Sequence, residues 1–331
     1  MKRTGHTSGV VLGLSAVLVA VEDNAPKAFI VRGAEHALSV GVDPVKEDGD
    51  ALPFGPFDPS EHTTLEQGLR SWVKTQTPLT PGYVEQLYTF GNRGRYAGQD
   101  GPARVVSVGY LALTSPDDVS ADEKIFWGDW YAYFPWEDWR DGRPRVIDDV
   151  IALGLKRWVS AATTKADKAY RRARADVCFG LHDSPWDAEK VLERYELLYE
   201  ARLVFEAIRD RDLKVDYVLV PGRSMLYDHR RILATAMGRL RGKLKYRPVV
   251  FELLPEEFTL LQLQKTVEAI MGHLIHKQNF RRLVESAGMV EEVAGKKSLA
   301  AGGRPAALFR FRRDVVLERP APGVKVSAAG K

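Results

Sequence analysis

The stretch that most constrains this chain of 331 residues is 254–314, where two short helical patterns precede two strand-like runs. Thr259, followed three residues later by Gln262, is a capping box, and it predicts a helix over 260–271 that ends at Gly272. Apolar residues at helical spacing place one side of this helix in a core: Leu263, Val267, Ile270 and Met271.

A second helix is predicted a few residues later, ending at Gly288, with the apolar face Phe280, Leu283, Val284 and Ala287. At about 100° per residue, the opposite face carries Gln278 and Arg282, flanked by other polar side chains. Strand-like runs at 289–294 and 306–311 then predict a hairpin, with 295–305 as its loop. Helix, turn, helix and hairpin make a winged helix-turn-helix, in which the second helix enters the major groove and the wing contacts phosphate or the minor groove. The candidate DNA contacts are Lys277, Gln278, Asn279, Arg281 and Arg282 on the helix, and Lys296, Lys297 and Arg304 in the wing.

The charge distribution favours a polyanionic partner for this region. Residues 228–314 hold 17 Lys and Arg against 9 Asp and Glu, a net charge of +8, whereas the whole chain carries only +4. A basic patch of this kind attracts nucleic acid, because each phosphate that it neutralises releases condensed counterions. The plainer alternative is that these charges form the solvated side of a small α/β subdomain.

The cysteine content and the apolar runs bear on the cellular compartment of the protein and on its possible metal sites. A single cysteine, Cys178, excludes an intramolecular disulfide framework and favours a reducing cytoplasm, and no zinc-ligand spacing is present. The basic residues at positions 2 and 3, followed by the apolar run 10–21, imitate a secretory signal, but no clean small-residue cleavage site follows. We expect this run instead to pair with 28–32 as a β-hairpin. No apolar stretch is long enough to span a bilayer.

Residues 10–139 alternate strands and turns around one candidate helix over 64–77, so we expect a compact β-rich domain. Its candidate nucleotide contacts are Arg32, at the end of the second strand, two arginines in a glycine-rich loop, and Arg104, which opens a long strand. Aromatic residues at 126–139 could stack a base, although such clusters are more often core. The proposed nucleotide-binding set is Arg32, Arg93, Arg95, Arg104 and Trp136.

The middle of the chain is predicted to be helical. One amphipathic pattern covers 146–159, and a second long helix is expected to open at Ser184-Pro185 and continue through Ile208. The basic run 165–174 is either a second DNA or nucleotide contact or, more simply, a solvated helix face. A connector helix over 230–244 then leads to the C-terminal module. These boundaries predict a sensing domain at 1–139, a helical insertion at 140–217, a connector or dimer helix at 218–248, the winged module at 249–315 and a tail at 316–331.

Four segments of the first domain, LPFGPFDPSE at 52–61, YVEQLYTFG at 83–91, RVVSVGY at 104–110 and WYAYFPW at 130–136, resemble the landmarks of a Nudix domain. The resemblance implies an α/β/α sandwich, so the expected fold class is α+β with an added helical insertion and a winged module. The Nudix box of active relatives binds Mg²⁺ through glutamates, but here the corresponding positions after Arg70 hold Ser71, Lys74 and Thr75. Because Mg²⁺ needs carboxylate oxygens, we expect no hydrolysis by the usual mechanism, no required cofactor and no bound metal. Glu61 or Glu66 keeps a weak hydrolase open as an alternative.

Further segments, including YDHRRIL at 227–233, NFRRL at 279–283 and GRPAALFR at 303–310, resemble the NrtR-like, Nudix-related transcriptional regulators of NAD metabolism, with the NadQ-type regulators closest. The resemblance implies a homodimeric repressor of NAD biosynthesis genes. It would bind a palindromic operator and respond to an adenine nucleotide effector such as NAD, ADP-ribose or ATP. Two alternatives remain: a Nudix hydrolase of nucleoside diphosphate derivatives with an appended nucleic-acid module, and a DNA architectural protein that ignores nucleotides.

Overall fold

The computed structural model describes residues 10–32, 49–77, 79, 81–92, 104–114, 124–298, 305–315 and 323–324. The first two strands, β1 (Val10–Glu22) and β2 (Ala25–Arg32), form an antiparallel hairpin with Val19 opposite Ala28. Asp23 and Asn24 both have positive φ at its turn, a conformation that these short polar residues tolerate. The predicted hairpin is confirmed.

Five more strands complete a mixed seven-stranded sheet: β3 (Asp50–Ala51), β4 (Phe54–Pro56), β5 (Tyr83–Phe90), β6 (Arg104–Leu113) and β7 (Ile125–Asp129). The order along the sheet is β3-β2-β1-β6-β5, while β4 pairs with β1 and β7 pairs with β2. The pairing of β1 with β6 is parallel and the others are antiparallel.

A helix covers each face of the sheet. The helix α1 (Leu65–Gln76) begins at the Thr64 cap, as predicted, and packs Leu69 and Val73 against one face. The connector helix, α7 (His229–Leu244), covers the other face through Ile232, which lies close to Gly109 of β6. The expected α/β/α sandwich is confirmed, and α7, which we place in a separate connector, forms one of its outer layers.

The segment between sheet and connector is helical, as expected. A single turn, α2 (Trp130–Tyr133), is followed by a 3₁₀ turn at Pro135–Glu137, a π-helical turn at Ile147–Ile151, α3 (Ala152–Ser160) and α4 (Lys165–Phe179). The predicted long helix from Ser184 through Ile208 is wrong. It is divided into α5 (Val191–Glu200) and α6 (Phe205–Arg209), because the chain turns at Arg202, whose φ is +59°, and buries Leu203 and Val204.

The C-terminal module contains α8 (Leu260–Met271), α9 (Lys277–Ala287), β8 (Val290–Ser298) and β9 (Ala306–Phe311), preceded by a 3₁₀ turn at Val249–Leu253. Both halves of the predicted Thr259/Gln262 capping box form, and both helices end at glycines with positive φ. The strand β8 runs four residues past the predicted end at 294, since the pairing of β8 with β9 resumes after an irregularity. The winged helix-turn-helix is confirmed.

Candidate nucleic-acid interface

The helix α9 is amphipathic in the way that a recognition helix requires. Its buried residues, Phe280 and Val284, hold it in the module core, while the predicted contact residues are exposed: Lys277, Gln278, Asn279, Arg281 and Arg282. Within the described part of the chain, neither Arg281 nor Arg282 forms an ion pair. Two uncompensated guanidinium groups on one exposed face are suited to phosphate contacts and to bidentate contacts with guanine.

The wing supplies a second basic surface, and the structure places part of it in a strand. Lys296 and Lys297 both lie on β8 and are exposed. The Lys296 ammonium is 2.6 Å from the Glu257 carboxylate, so binding to phosphate would require that surface pair to separate. Exposed ion pairs of this kind contribute only about 0–1 kcal/mol to stability, so a phosphate can replace Glu257 as the partner of Lys296 at little cost. The predicted contact Arg304 lies outside the described residues.

The wing and the helices share one core. Phe258, just before α8, exchanges two backbone hydrogen bonds with Phe309 of β9, at 2.9 and 2.8 Å. Phe251 stacks on Phe311 with ring centroids 4.2 Å apart. These contacts join β9 of the wing to the segment that leads into α8.

A cavity of about 680 Å³ lies at one edge of the sandwich, at the predicted Arg32. Arg32 and Arg223 both pair with the buried carboxylate of Asp50, at 2.9 and 2.8 Å, and both stack on the ring of Phe126. The Tyr133 hydroxyl also donates to Asp50, at 2.8 Å. Burial and the nearby Asp50 carboxylate raise the pKa of Tyr133, so this hydroxyl keeps its proton. Among the residues that the structure describes at this cavity, one carboxylate faces two guanidinium groups, an excess of one positive charge that suits an anionic ligand.

The other predicted nucleotide contacts have different outcomes. Trp136 is fully buried and packs edge-on against Phe134, so a base cannot stack on it in this structure, and that assignment is corrected. Arg104 begins β6, which is separated from β2 by β1, and the position of its side chain lies outside what the structure describes. Arg93 and Arg95 lie outside the described residues.

The residues at the positions where the sequence resembles a Nudix box lie on α1 and on the strand that packs against it. Ser71, Lys74 and Thr75 are exposed on α1, and the Glu66 carboxylate binds Arg70 at 2.9 Å. A Cβ atom on Gly55 would lie 2.2 Å from the Trp72 indole, so packing alone requires a glycine at this position. Among the residues that the structure describes, no cluster of three or more His, Cys, Asp or Glu is arranged to hold a metal ion.

The sandwich binds the C-terminal end of α8 directly. The Tyr131 hydroxyl donates to Ala269 O at 2.7 Å, Arg241 Nε to Ile270 O at 2.8 Å, and Trp139 N to Gly272 O at 2.6 Å. The last carbonyls of a helix lack partners within the helix, and here the other domain supplies them. Because Tyr131 and Tyr133 both belong to α2, a single helical turn contacts both Asp50, which lines the Arg32 cavity, and α8 of the C-terminal module.

A buried charged cluster stabilises this junction. Glu137 lies between Arg194 of α5 and Arg241 of α7, with contacts of 2.5 and 2.7 Å, and all three side chains are fully buried. Such a cluster is stable only when every member is paired, because an isolated buried charge is costly. It joins the sandwich, the helical segment and the connector at the point where α8 is bound.

Sequence reasoning missed Asp50, Arg223 and Glu137. Asp50 and Arg223 lie far apart in the sequence and meet only because Asp50 forms a β-bridge with Met225. The only local signal was the turn-forming Pro221-Gly222 before Arg223. Glu137 sits in an aromatic segment directly before Asp138, where acidic residues are an ordinary surface feature.

Together, the sandwich and the exposed basic face of α9 define a winged helix-turn-helix protein with a Nudix-like domain. Residues 250–311, the C-terminal module, match the family model of the NrtR DNA-binding winged helix domain. A curated relative from Acinetobacter baylyi, named ADPR responsive transcriptional repressor NtrR, is 41% identical over 87 residues, which is 26% of this chain. The match spans about a third of the length of that relative, 34%.

Solved structures support the same fold over nearly the whole chain. The NrtR of Shewanella oneidensis complexed with a 27mer DNA has a TM-score of 0.53 at 22% identity, covering 92% of this chain and 95% of that one. A MutT/nudix family protein from Enterococcus faecalis has a TM-score of 0.52 at 16% identity, covering 94% and 90%. In the described part of the chain, no helix is long and apolar enough to cross a membrane.

Proposed function

We propose that this chain is a transcriptional repressor that binds operator DNA through α9 and β8 and responds to an adenine nucleotide bound by the Nudix-like sandwich. The observation that carries the proposal is the unpaired basic face of α9, presented by a module of the NrtR winged-helix family and bound to a sandwich that contains a basic cavity. The curated relative named as an ADPR responsive repressor makes ADP-ribose the first effector to test.

The contacts at α2 support a nucleotide response. An anionic ligand in the Arg32 cavity would compete with Asp50 for Arg32 and Arg223, and Asp50 is the hydrogen-bond partner of Tyr133. A shift of Tyr133 moves the same turn that carries Tyr131, which binds the end of α8. Ligand binding can therefore alter the orientation of α9, since packed elements transmit small displacements as rigid bodies.

We propose that the protein binds DNA as a homodimer on a palindromic operator near NAD biosynthesis genes. A two-fold symmetric protein places its two recognition helices in half-sites about one helical turn apart. We also propose that the sandwich binds its nucleotide without hydrolysing it, because α1 presents a hydroxyl and an ammonium where Nudix hydrolases place carboxylates.

Fluorescence anisotropy with DNA from upstream of the chain's own gene and of NAD-synthesis genes tests the proposal. We expect Arg282→Ala to weaken specific binding by about 1–3 kcal/mol, roughly tenfold to a hundredfold, without unfolding the protein. Arg145→Ala is the matched control, since Arg145 is an exposed arginine outside both the C-terminal module and the basic run 165–174. Wild-type affinity in a folded Arg282→Ala protein would refute the assignment of α9 as the recognition helix.

The same titration, repeated with ADP-ribose, NAD and ATP, tests the effector. We expect one of them to change the operator affinity and Arg223→Gln to remove that change while leaving ligand-free DNA binding intact. Mg²⁺-dependent cleavage of ADP-ribose that is lost in Glu61→Gln or Glu66→Gln would instead support the hydrolase alternative. Specific DNA binding that no nucleotide alters would contradict the sensing role.

A further inference from the structure

A second cavity, of about 500 Å³, lies in the helical segment, and its lining is distinct from that of the Arg32 cavity. Its walls come from α3, α4, the link between α5 and α6, and the chain beyond α6. The lining residues that bear on its chemistry are Arg157, Trp158, Arg171, Glu200, Arg202 and Tyr217.

The arginines at this cavity outnumber the carboxylates that neutralise them. Arg171 pairs with Asp167 at 2.9 Å, and the neighbouring Arg174 pairs with Glu200 at 2.8 Å. Neither Arg157 nor Arg202 forms an ion pair within the described residues. The cavity therefore carries two guanidinium charges without carboxylate partners.

An aromatic side chain holds the Arg157 guanidinium and the Arg202 backbone in place. The Arg157 guanidinium lies over the Tyr217 ring, 5.0 Å from its centroid, and the Tyr217 hydroxyl donates to the Arg202 carbonyl at 2.9 Å. Arg202 has a φ of +59°, in the left-handed region that non-glycine residues rarely adopt. Strained residues of this kind cluster at ligand sites.

Two more lining residues, Trp158 and Arg171, contact each other. The Arg171 guanidinium lies 4.8 Å from the centroid of the Trp158 ring and donates to the Trp158 carbonyl at 2.9 Å. A Cβ atom on Gly154 would lie 2.8 Å from Leu203, so α3 and the α5–α6 link approach closely behind the cavity.

We propose that this cavity binds a nucleoside phosphate. Arg157 and Arg202 would bind the phosphate, because the planar guanidinium group matches phosphate oxygens in bidentate geometry. The base would stack on the aromatic and guanidinium planes at the walls, a common mode of base recognition. The volume falls within the range of about 300–1,000 Å³ typical of small-molecule sites. This gives the helical segment a ligand of its own, independent of DNA binding.

Isothermal titration of the full-length protein with ADP tests the proposal. The Arg223→Gln background weakens the Arg32 cavity, so that binding at the second cavity is measured by itself. In that background we expect Arg157→Gln and Arg202→Asn each to weaken ADP binding by about tenfold to a hundredfold, the contribution of a charge-assisted hydrogen bond. Asn is used at position 202 because it tolerates the left-handed conformation. Arg172→Gln, an exposed α4 residue outside the cavity lining, is the matched control and should bind ADP normally.

Trp158 provides an independent signal. We expect ADP to change the tryptophan fluorescence of the Arg223→Gln protein and Trp158→Phe to remove most of that change. No ADP binding in the Arg223→Gln protein would overturn the proposal. Inorganic pyrophosphate binding as tightly as ADP, or equal weakening in Arg172→Gln, would also overturn it, because either result shows charge attraction without recognition of a nucleoside. If the protein does not act as a repressor, the titration with operator DNA shows this. That result is independent of whether ADP binds at the second cavity.

Discussion

Replacing Glu137 with glutamine tests whether the junction depends on its buried charge. Both carboxylate oxygens of Glu137 are used: Oε1 accepts from Arg194 Nε at 2.5 Å, and Oε2 accepts from Arg194 Nη2 at 2.8 Å and Arg241 Nη1 at 2.7 Å. Glutamine keeps one acceptor oxygen and turns the other position into a donor facing guanidinium donors. The net charge of the three side chains rises from +1 to +2 with no access to water.

Removing one partner of a buried ion pair costs about 3–5 kcal/mol, because the remaining charge stays buried and uncompensated. Domains are typically stable by about 5–15 kcal/mol, so Glu137→Gln should remove a large share of the free energy of unfolding. Urea unfolding, followed by tryptophan fluorescence, should show a lower midpoint with an unchanged slope.

The matched control is Glu189→Gln. The Glu189 carboxylate also pairs with a cation, Lys245 at 2.5 Å, but these side chains are 39% and 32% exposed. Partly solvated pairs contribute about 0–1 kcal/mol, so this substitution should hardly change the free energy of unfolding. If Glu137→Gln cost no more than Glu189→Gln, the buried cluster would not be what stabilises the junction.

Two further predictions concern single residues near the sandwich. Burial, together with the nearby Arg209, lowers the pKa of His229 to about 3, and its Nδ1 accepts from Leu52 N at 3.1 Å. The unfolded histidine titrates near 6.5, so the unfolded state binds more protons below that pH, and about 2 kcal/mol should be lost between pH 7 and pH 5. His229→Asn, whose oxygen can accept the same hydrogen bond, should show a shallower decrease in urea unfolding over this range; equal slopes would contradict the assignment. Gly272 has a φ of +73°, and a Cβ atom there would lie 2.4 Å from Glu137 O. Gly272→Ala should therefore destabilise the protein by at least about 1–3 kcal/mol, and an unchanged melting temperature would show that α8 is not held where the structure places it.

Local sequence patterns were sufficient for the C-terminal module. The Thr259/Gln262 capping box, the terminating glycines and the apolar spacing of α9 each depend on residues within one turn of one another. The bounds of α8 and the exposed face of α9 therefore follow from local interactions alone. The same holds for the β1–β2 hairpin, where a polar turn joins two apolar runs.

Other features of the fold depend on tertiary contacts and cannot be read from the hydrophobic periodicity of the sequence. The division of the predicted long helix at Arg202 follows from the burial of Leu203 and Val204 rather than from a local breaker residue. Trp136 is suited by type to stacking on a base, yet it is core because other elements cover it completely.

The sequence by itself determined that the C-terminal module has an amphipathic helix with a basic exposed face, because this follows from residue types at short spacing, and the Nudix-like fold of the first domain was expected from its resemblance to that family. Only the tertiary structure brought Asp50 to Arg32 and Arg223, and Glu137 to Arg194 and Arg241. These contacts join residues that are distant in the chain, and their pairing depends on how the sheet, α5 and α7 pack. The series of contacts from the Arg32 cavity through α2 to α8 therefore depends on how these layers pack together and cannot be read from any one segment.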